Sequence, residues 1–309
     1  IYFLMCLSLA SDFRELDLLS DGEWIGMGIS YGPFRDGQSP WEGSPTKEQL
    51  REDLYIISEN WKWIRLYGSR GISSDILDII RTDSLGIKVM LGAWIAKEDG
   101  SIEAATSNKE EISMAIELAN RYPDIVNSIN IGNETMVYWS DHKVDMGIMT
   151  SYINFTRKRV KVPVTTADDL GFWNKESSRS ISEQCDFIVV HIHPLWGGQK
   201  IEDALDWVKG IYSEIKAMHP DKEVIIGETG WATMKHNEGL QHELIKGKPG
   251  EKNQKYYYNQ FRQWADENRI PHHFFEVFDE NWKGGDHPNE VEKHWGLYYS
   301  NRKPKEVLK

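Results

Sequence analysis

Cysteine is almost absent from this sequence: Cys6 and Cys185 are the only two in 309 residues. Two thiols can neither cage a structural metal nor build a disulfide framework. The chain must therefore hold itself together with a hydrophobic core, which its length is ample to form. Positive charge is also scarce. The 36 Lys and Arg are outnumbered by 48 Asp and Glu, leaving a formal net charge of −12. That balance argues against nucleic acid or an anionic membrane surface as partner, since both demand basic patches. Past the first ten residues no apolar run approaches the length of a membrane span. A Gly-rich first turn of the kind that cradles a dinucleotide is missing, and no cofactor is implied. No proline-rich or low-complexity linker divides the chain.

What is present is alternation. Short β-branched or apolar runs occur at 25–31, 63–67, 87–93, 125–131, 162–167, 187–192, 224–227 and 273–278. Between them lie segments with helical period and charge, clearest at 46–60, 73–82, 102–121, 145–161, 201–219 and 252–268. Thr46 carries a helix-start signal and Gly86 a stop, while the stretch from Asp168 to Gln184 reads as weak helix or loop. Eight strands alternating with helices predict a parallel sheet, and eight is the number that closes into a (β/α)8 TIM barrel. An open doubly wound sheet is the competing architecture. The barrel is expected as a single catalytic domain over residues 12–309, acting as a monomer. Residues 1–11 read as a remnant of a secretory signal, apolar from Ile1 to Ala10 and with a small-x-small site at Ser8-Leu9-Ala10. A secreted, periplasmic or cell-surface location is expected on that basis. A buried N-terminal element is the alternative.

Two of the strand candidates end on a carboxylate: Ile129-Asn130-Ile131-Gly132-Asn133-Glu134 and Val224-Ile225-Ile226-Gly227-Glu228. A parallel barrel gathers the C-terminal ends of its strands on one face, where catalytic groups sit. Two facing carboxylates are the minimum equipment for cleaving a glycosidic bond. Arg65, on the second strand, is the candidate cation that keeps one of them ionised, and a buried Arg needs such a partner in any case. The chain is also rich in aromatics, with 13 Trp and 13 Tyr. Trp94, Trp139, Trp196, Trp231 and Trp282 each follow a strand, so all five are expected to line a groove suited to the apolar faces of sugar rings. Trp207 and Trp264 fall within helices and read as packing residues. Against this stands the pair His191 and His193, which share a strand face and could bind one metal in a barrel metallohydrolase. No further ligand set can be assembled around them, so no metal is expected. A binding module that lost catalysis is a further alternative, disfavoured by the intact Glu134, Glu228 and Arg65.

Further motifs sharpen the reading. Gly28-Ile29-Ser30-Tyr31-Gly32-Pro33-Phe34, Ile64-Arg65-Leu66-Tyr67, Ile131-Gly132-Asn133-Glu134, Gly227-Glu228-Thr229-Gly230-Trp231, Phe278-Asp279-Glu280-Asn281-Trp282-Lys283 and Glu292-Lys293-His294-Trp295-Gly296-Leu297 run the length of the chain. In these the chain resembles glycoside hydrolase family 17, the β-1,3-glucanases of the retaining barrel clan. The resemblance implies an endo-acting β-1,3-glucan hydrolase with Glu134 as acid/base and Glu228 as nucleophile. It also implies Asn133 on the sugar hydroxyl beside the reacting carbon, and Tyr31, Glu280, Lys283 and Glu292 around the site. With Tyr67 and His193 these complete the expected glucan-binding set. Where the plant enzymes have a tyrosine-bearing segment after strand six, this chain has His191-Ile192-His193-Pro194-Leu195-Trp196, so their subsite preferences do not transfer. Carboxyl groups about 5–5.5 Å apart, as a retaining enzyme needs, cannot both ionise freely, so their pKa values should split. Glu228 is expected to stay charged beside Arg65 and Glu134 to be raised. A β-1,3-glucanosyltransferase using the same site is the nearest alternative. The long polar loop from Trp231 to Glu251 is a candidate wall for the acceptor.

Overall fold

The computed structural model describes residues 13–98 and 100–309. The signal-like stretch and Cys6 lie outside the described residues. A two-stranded antiparallel hairpin, β1 (Leu19–Ser20) and β2 (Glu23–Trp24), precedes eight parallel strands. These are β3 (Met27–Ser30), β4 (Trp63–Arg65), β5 (Lys88–Ala93), β6 (Val126–Asn133), β7 (Val164–Asp169), β8 (Ile188–His191), β9 (Val224–Thr229) and β10 (His272–Phe274). They pair in the order β10-β3-β4-β5-β6-β7-β8-β9 and close into a barrel. Each of the eight runs read from the sequence supplies one strand of this (β/α)8 fold.

The helices start where capping chemistry allows. The Thr46 side chain accepts from the Gln49 backbone N–H, and the Gln49 side chain accepts in return from the Thr46 N–H at 2.9 Å, a capping box that opens α1 (Lys47–Ser58). Next come α2 (Ser73–Thr82), α3 (Ile102–Arg121), which Ser101 caps, and α4 (Met146–Arg157), which Asp145 caps. The stretch after Asp168 breaks into α5 (Leu170–Trp173), a 3-10 turn and α6 (Arg179–Ser182). The outer ring is completed by α7 (Ala204–Met218), the short α8 (Gly239–Leu244) and α9 (Glu251–Glu267).

Strand alternation divides the core into two layers. Ile29, Ile64, Val89, Leu91, Ile129, Ile188, Val190, Val224 and Ile226 face outward and pack with helix residues such as Leu50, Leu54, Ile76 and Leu77. Trp63, Met90, Ala167, Phe187, Val189 and Ile225 fill the barrel, closed below by Leu16, Leu18 and Ile25. Above this apolar plug the inward positions become polar. Arg65 follows Trp63 on β4, and His191 follows Val189 on β8. Gly227 has no side chain because a Cβ there would lie 2.2 Å from Val189 and 3.0 Å from His191. The plug thus ends where the chemistry begins.

Candidate active site

Glu134 and Glu228 meet at the C-terminal mouth of the barrel. The chain turns sharply past β6: Gly132 has φ 75° and Glu134 itself has φ 51°, a left-handed conformation that costs a non-glycine residue about 1–3 kcal/mol. The Glu134 N–H donates to Ala167 O at 2.9 Å, which ties this strained turn to β7. One imidazole lies between the two acids. His191 Nδ1 lies 2.9 Å from Glu134 Oε1, and its Nε2 lies 3.5 Å from Glu228 Oε1. Glu228 receives a dense shell: Arg65 Nη1 donates to its Oε1 at 2.5 Å, Tyr67 Oη donates to the same oxygen at 2.9 Å, and His193 Nε2 is 3.2 Å from Oε2. Arg65 is fully buried, and its other arm donates to Asn133 Oδ1 at 2.5 Å. A single guanidinium therefore fixes the residues at the ends of β6 and β9 together.

The environments push the two acids apart. Burial raises the Glu134 carboxyl well above its usual range, and the neighbouring charges of Glu228 and Asp169 push the same way. Burial also acts to raise Glu228, but the histidines and Arg65 outweigh it and hold that carboxyl well below the usual range. His191 is driven down to about 3, chiefly by burial and further by Arg65 and His193, against the opposing pull of Glu228. It is neutral at pH 7, which leaves the Arg65 guanidinium as the permanent cation beside Glu228. His193 is raised because its hydrogen bond and charge contact with Glu228 overcome burial. The result is a carboxyl biased toward its protonated form facing one biased toward carboxylate, the division of labour that acid and nucleophile chemistry requires.

A second charged group borders the pair. Lys283 Nζ donates to both oxygens of Glu276 at 2.7 and 2.6 Å and lies 2.9 Å from Glu280 Oε2. Burial raises Glu276 well above its usual range, with Lys283 opposing. Glu280 also accepts from the Phe34 N–H at 3.1 Å, which Gly32 permits because a Cβ there would fall 2.2 Å from that carboxylate. Trp196 Nε1 donates to Glu292 Oε1 at 2.8 Å, so this indole is tethered by its polar edge. Trp94 and Trp139 stand open at the rim, 42% and 48% exposed. Trp94 packs on His142 at 4.9 Å between ring centres, and His142 Nε2 is 2.7 Å from Asn133 O.

Two expected cleft residues turn away from it. Tyr31 is buried and donates to Asp53 Oδ2 on α1 at 3.1 Å, in a network with Arg35 and Arg302. It shares the outward parity of Ile29, whereas Ser30 takes the inward one. Trp231 is likewise fully buried: its ring packs on Tyr257 of α9 and its Nε1 donates to Lys248 O at 3.1 Å. Three of the five strand-end tryptophans lie fully buried or partly covered, leaving Trp94 and Trp139 as the open ones. Both histidines of the metal alternative face the carboxylates, and among the described residues no group of three or more His, Cys, Asp or Glu is arranged to hold a metal.

The sequence does not single out Glu276, Asp169 or His142, and it offers His191 as a metal ligand, a substrate contact or a hydrogen-bonded residue. A charged residue inside the apolar run 273–278 was the available signal for Glu276. Nothing in the local sequence marks His142.

Fold and site together define a (β/α)8 barrel protein with a paired-carboxylate centre at the C-terminal ends of its strands. More particularly, the chain belongs to the BtgE/BtgC glycoside hydrolase domain family, which matches residues 28–296. It is 28% identical over 285 residues to a putative glucan endo-1,3-beta-glucosidase, btgC, of Aspergillus niger, covering 86% of this chain and 40% of that protein. This chain thus spans less than half the length of that relative. It is 27% identical over 323 residues to a glucan 1,3-beta-glucosidase of Arthroderma benhamiae, covering 98% of this chain and 96% of that protein. The fold is shared with an endo-laminarinase from Formosa, at a TM-score of 0.81 and 24% identity, over 94% of this chain and 88% of that one. It is also shared with a glycoside hydrolase family 17 beta-1,3-glucanosyltransferase from Rhizomucor miehei, at a TM-score of 0.74 and 24% identity, over 91% and 96%.

Proposed function

We propose that this chain is a retaining glycoside hydrolase that cuts within β-1,3-glucan, of the glycoside hydrolase family 17 type, with residues 12–309 as one catalytic unit. The observation that carries the reading is the convergence of Glu134 and Glu228 on the two sides of the His191 ring, with the Arg65 guanidinium bonded to Glu228 alone of the two. Glu134 donates its proton to the glycosidic oxygen as Glu228 attacks the anomeric carbon. The C–O bond to the leaving sugar breaks and a glycosyl ester on Glu228 forms. Glu134, now a carboxylate, takes a proton from water, whose oxygen attacks the same carbon and releases Glu228. Asn133, oriented by Arg65, is placed to bind the hydroxyl next to that carbon. The names of the Aspergillus and Arthroderma relatives support a 1,3-β-glucan as the polymer. A secreted, periplasmic or cell-surface location is part of the proposal, since a glucan taken from the surroundings is too large to cross a membrane.

Incubation with soluble β-1,3-glucan in heavy-oxygen water, followed by mass spectrometry, tests this. Labelled oligosaccharides of mixed length at the earliest times are expected. Glu134→Gln should lower kcat on the glucan by about 10²–10⁴. Glu228→Ala should be inactive until azide is added, and then yield the glycosyl azide of inverted configuration. Near-wild-type turnover by either variant would overturn the assignment. Unlabelled products longer than a defined starting oligosaccharide would make the chain a transferase.

A further inference from the structure

Trp41 is the most exposed large apolar side chain among the described residues, at 82%. It sits in the loop between β3 and α1, which carries no helical or strand pattern, yet the loop is tightly held. Asn281 Nδ2 donates to Asp36 Oδ1 at 2.6 Å, and Gln38 Nε2 donates to Gln49 Oε1 at 2.9 Å. Ser39 Oγ accepts from the backbone N–H groups of Trp41 and Glu42 at 3.2 and 3.0 Å. The indole is therefore presented from a braced turn. Its ring meets Trp282 edge to face at 5.4 Å, and Trp282 meets Phe34 the same way at 5.8 Å. This ladder joins the active site: the Phe34 N–H donates to Glu280, and Lys283 Nζ, bonded to Glu280, lies 5.8 Å from the Trp282 ring centre.

We propose that Trp41 is a carbohydrate-stacking platform that binds a glucose unit of the glucan several units away from the bond being cut. The proposal rests on the hydrolase reading above and adds a distal site to it. Trp282 follows β10 and Trp139 follows β6, strands that stand half a turn apart in the ring of eight. Trp41 and Trp282 therefore mark one end of a path across the barrel mouth, and Trp94 and Trp139 the other, with Glu134 and Glu228 between. An indole carried on a braced turn and 82% exposed offers a sugar ring apolar area at little ordering cost. The catalytic centre does not need that contact, so its effect must appear only with chains long enough to reach it.

Trp41→Ala and Trp41→Phe are to be assayed on β-1,3-gluco-oligosaccharides of increasing length and on the polymer. Trp41→Ala should lose about tenfold in kcat/KM on the longest oligosaccharides and the polymer, mainly through KM, as truncation of a rim tryptophan would. The shortest substrate cleaved should be unaffected, the melting temperature unchanged, and Trp41→Phe should retain most of the wild-type value. Parity with wild type at every length, or an equal fall at every length, would overturn the proposal. Titration of the longest oligosaccharide into Glu134→Gln and Glu134→Gln/Trp41→Ala separates the two readings. A tenfold weaker affinity of the double variant supports the platform whether or not the wild type hydrolyses glucan. Equal affinities refute it. A folded wild type inert on every glucan refutes the hydrolase reading alone.

Discussion

Methionine at position 65 would fill much of the space of Arg65 while removing its charge, and it isolates what the guanidinium does for the site. Arg65 and the Glu228 side chain are 0% and 8% exposed, and the ion pair between them is 2.5 Å long. Breaking a buried pair by deleting one member costs about 3–5 kcal/mol, because the survivor stays desolvated without its partner. For a chain of this length about 2 °C is lost per kcal/mol, so Arg65→Met should melt about 6–10 °C lower at pH 7. The sign of the pH dependence follows from Glu228. In the native protein its pKa is depressed, so its contribution is present above the unfolded value, about 4.3, and is lost as pH falls through the folded value. In the variant, burial raises Glu228 with only the two histidines left to oppose it. The folded state then penalises the charged form above the unfolded pKa and not below it. The melting deficit should therefore be widest near neutrality and close as the pH drops below about 4. Calorimetric or circular-dichroism melts of both proteins from pH 3 to 8 measure it. A deficit that stays constant across that range, or none at all, would show that Arg65 does not act through the Glu228 charge.

Three further outcomes follow from the same contacts. Activity on glucan should fall at low pH as Glu228 takes up a proton and at high pH as Glu134 loses one, since the two are displaced in opposite directions; a rate profile with one limb missing would contradict the pairing. Trp231→Ala should destabilise the protein by about 3–5 kcal/mol, as loss of a buried tryptophan does. Trp94→Ala should instead raise KM and leave the melting temperature within a degree or two; steady-state kinetics and melts on both variants check the contrast. Lys283→Met leaves Glu276 and Glu280 buried without their cation and should cost about 3–5 kcal/mol at pH 7, with partial recovery in acid as the Glu276 carboxyl, which burial already raises, takes up a proton. Urea unfolding at two pH values reads it.

The barrel was legible because its signals are local. Each strand is a short β-branched run, each long helix carries its own period, and Thr46 with Gln49 makes a cap within four residues. Glu134 and Glu228 were legible for the same reason, as carboxylates that terminate two apolar runs. The misplaced residues share one cause. Tyr31 and Trp231 lie just past strand ends, where a shift of one position exchanges the cleft for the helix layer. Being at the right end of a strand does not set which face a side chain takes.

What the sequence determined by itself is therefore the order of elements, the closure number of the sheet and the two strands that end on a carboxylate, all properties of segments a few residues long. Only the tertiary structure decided in which direction each carboxyl is displaced. That division depends on Arg65 from β4, His191 and His193 from β8 and its following turn, and Asp169 from β7 converging on Glu134 and Glu228. The tertiary structure likewise braced Trp41 beside Trp282, 241 positions away in the chain. Electrostatic and stacking interactions act over a few ångströms of space, so charge state and ligand path are set by which distant segments the closed barrel makes neighbours.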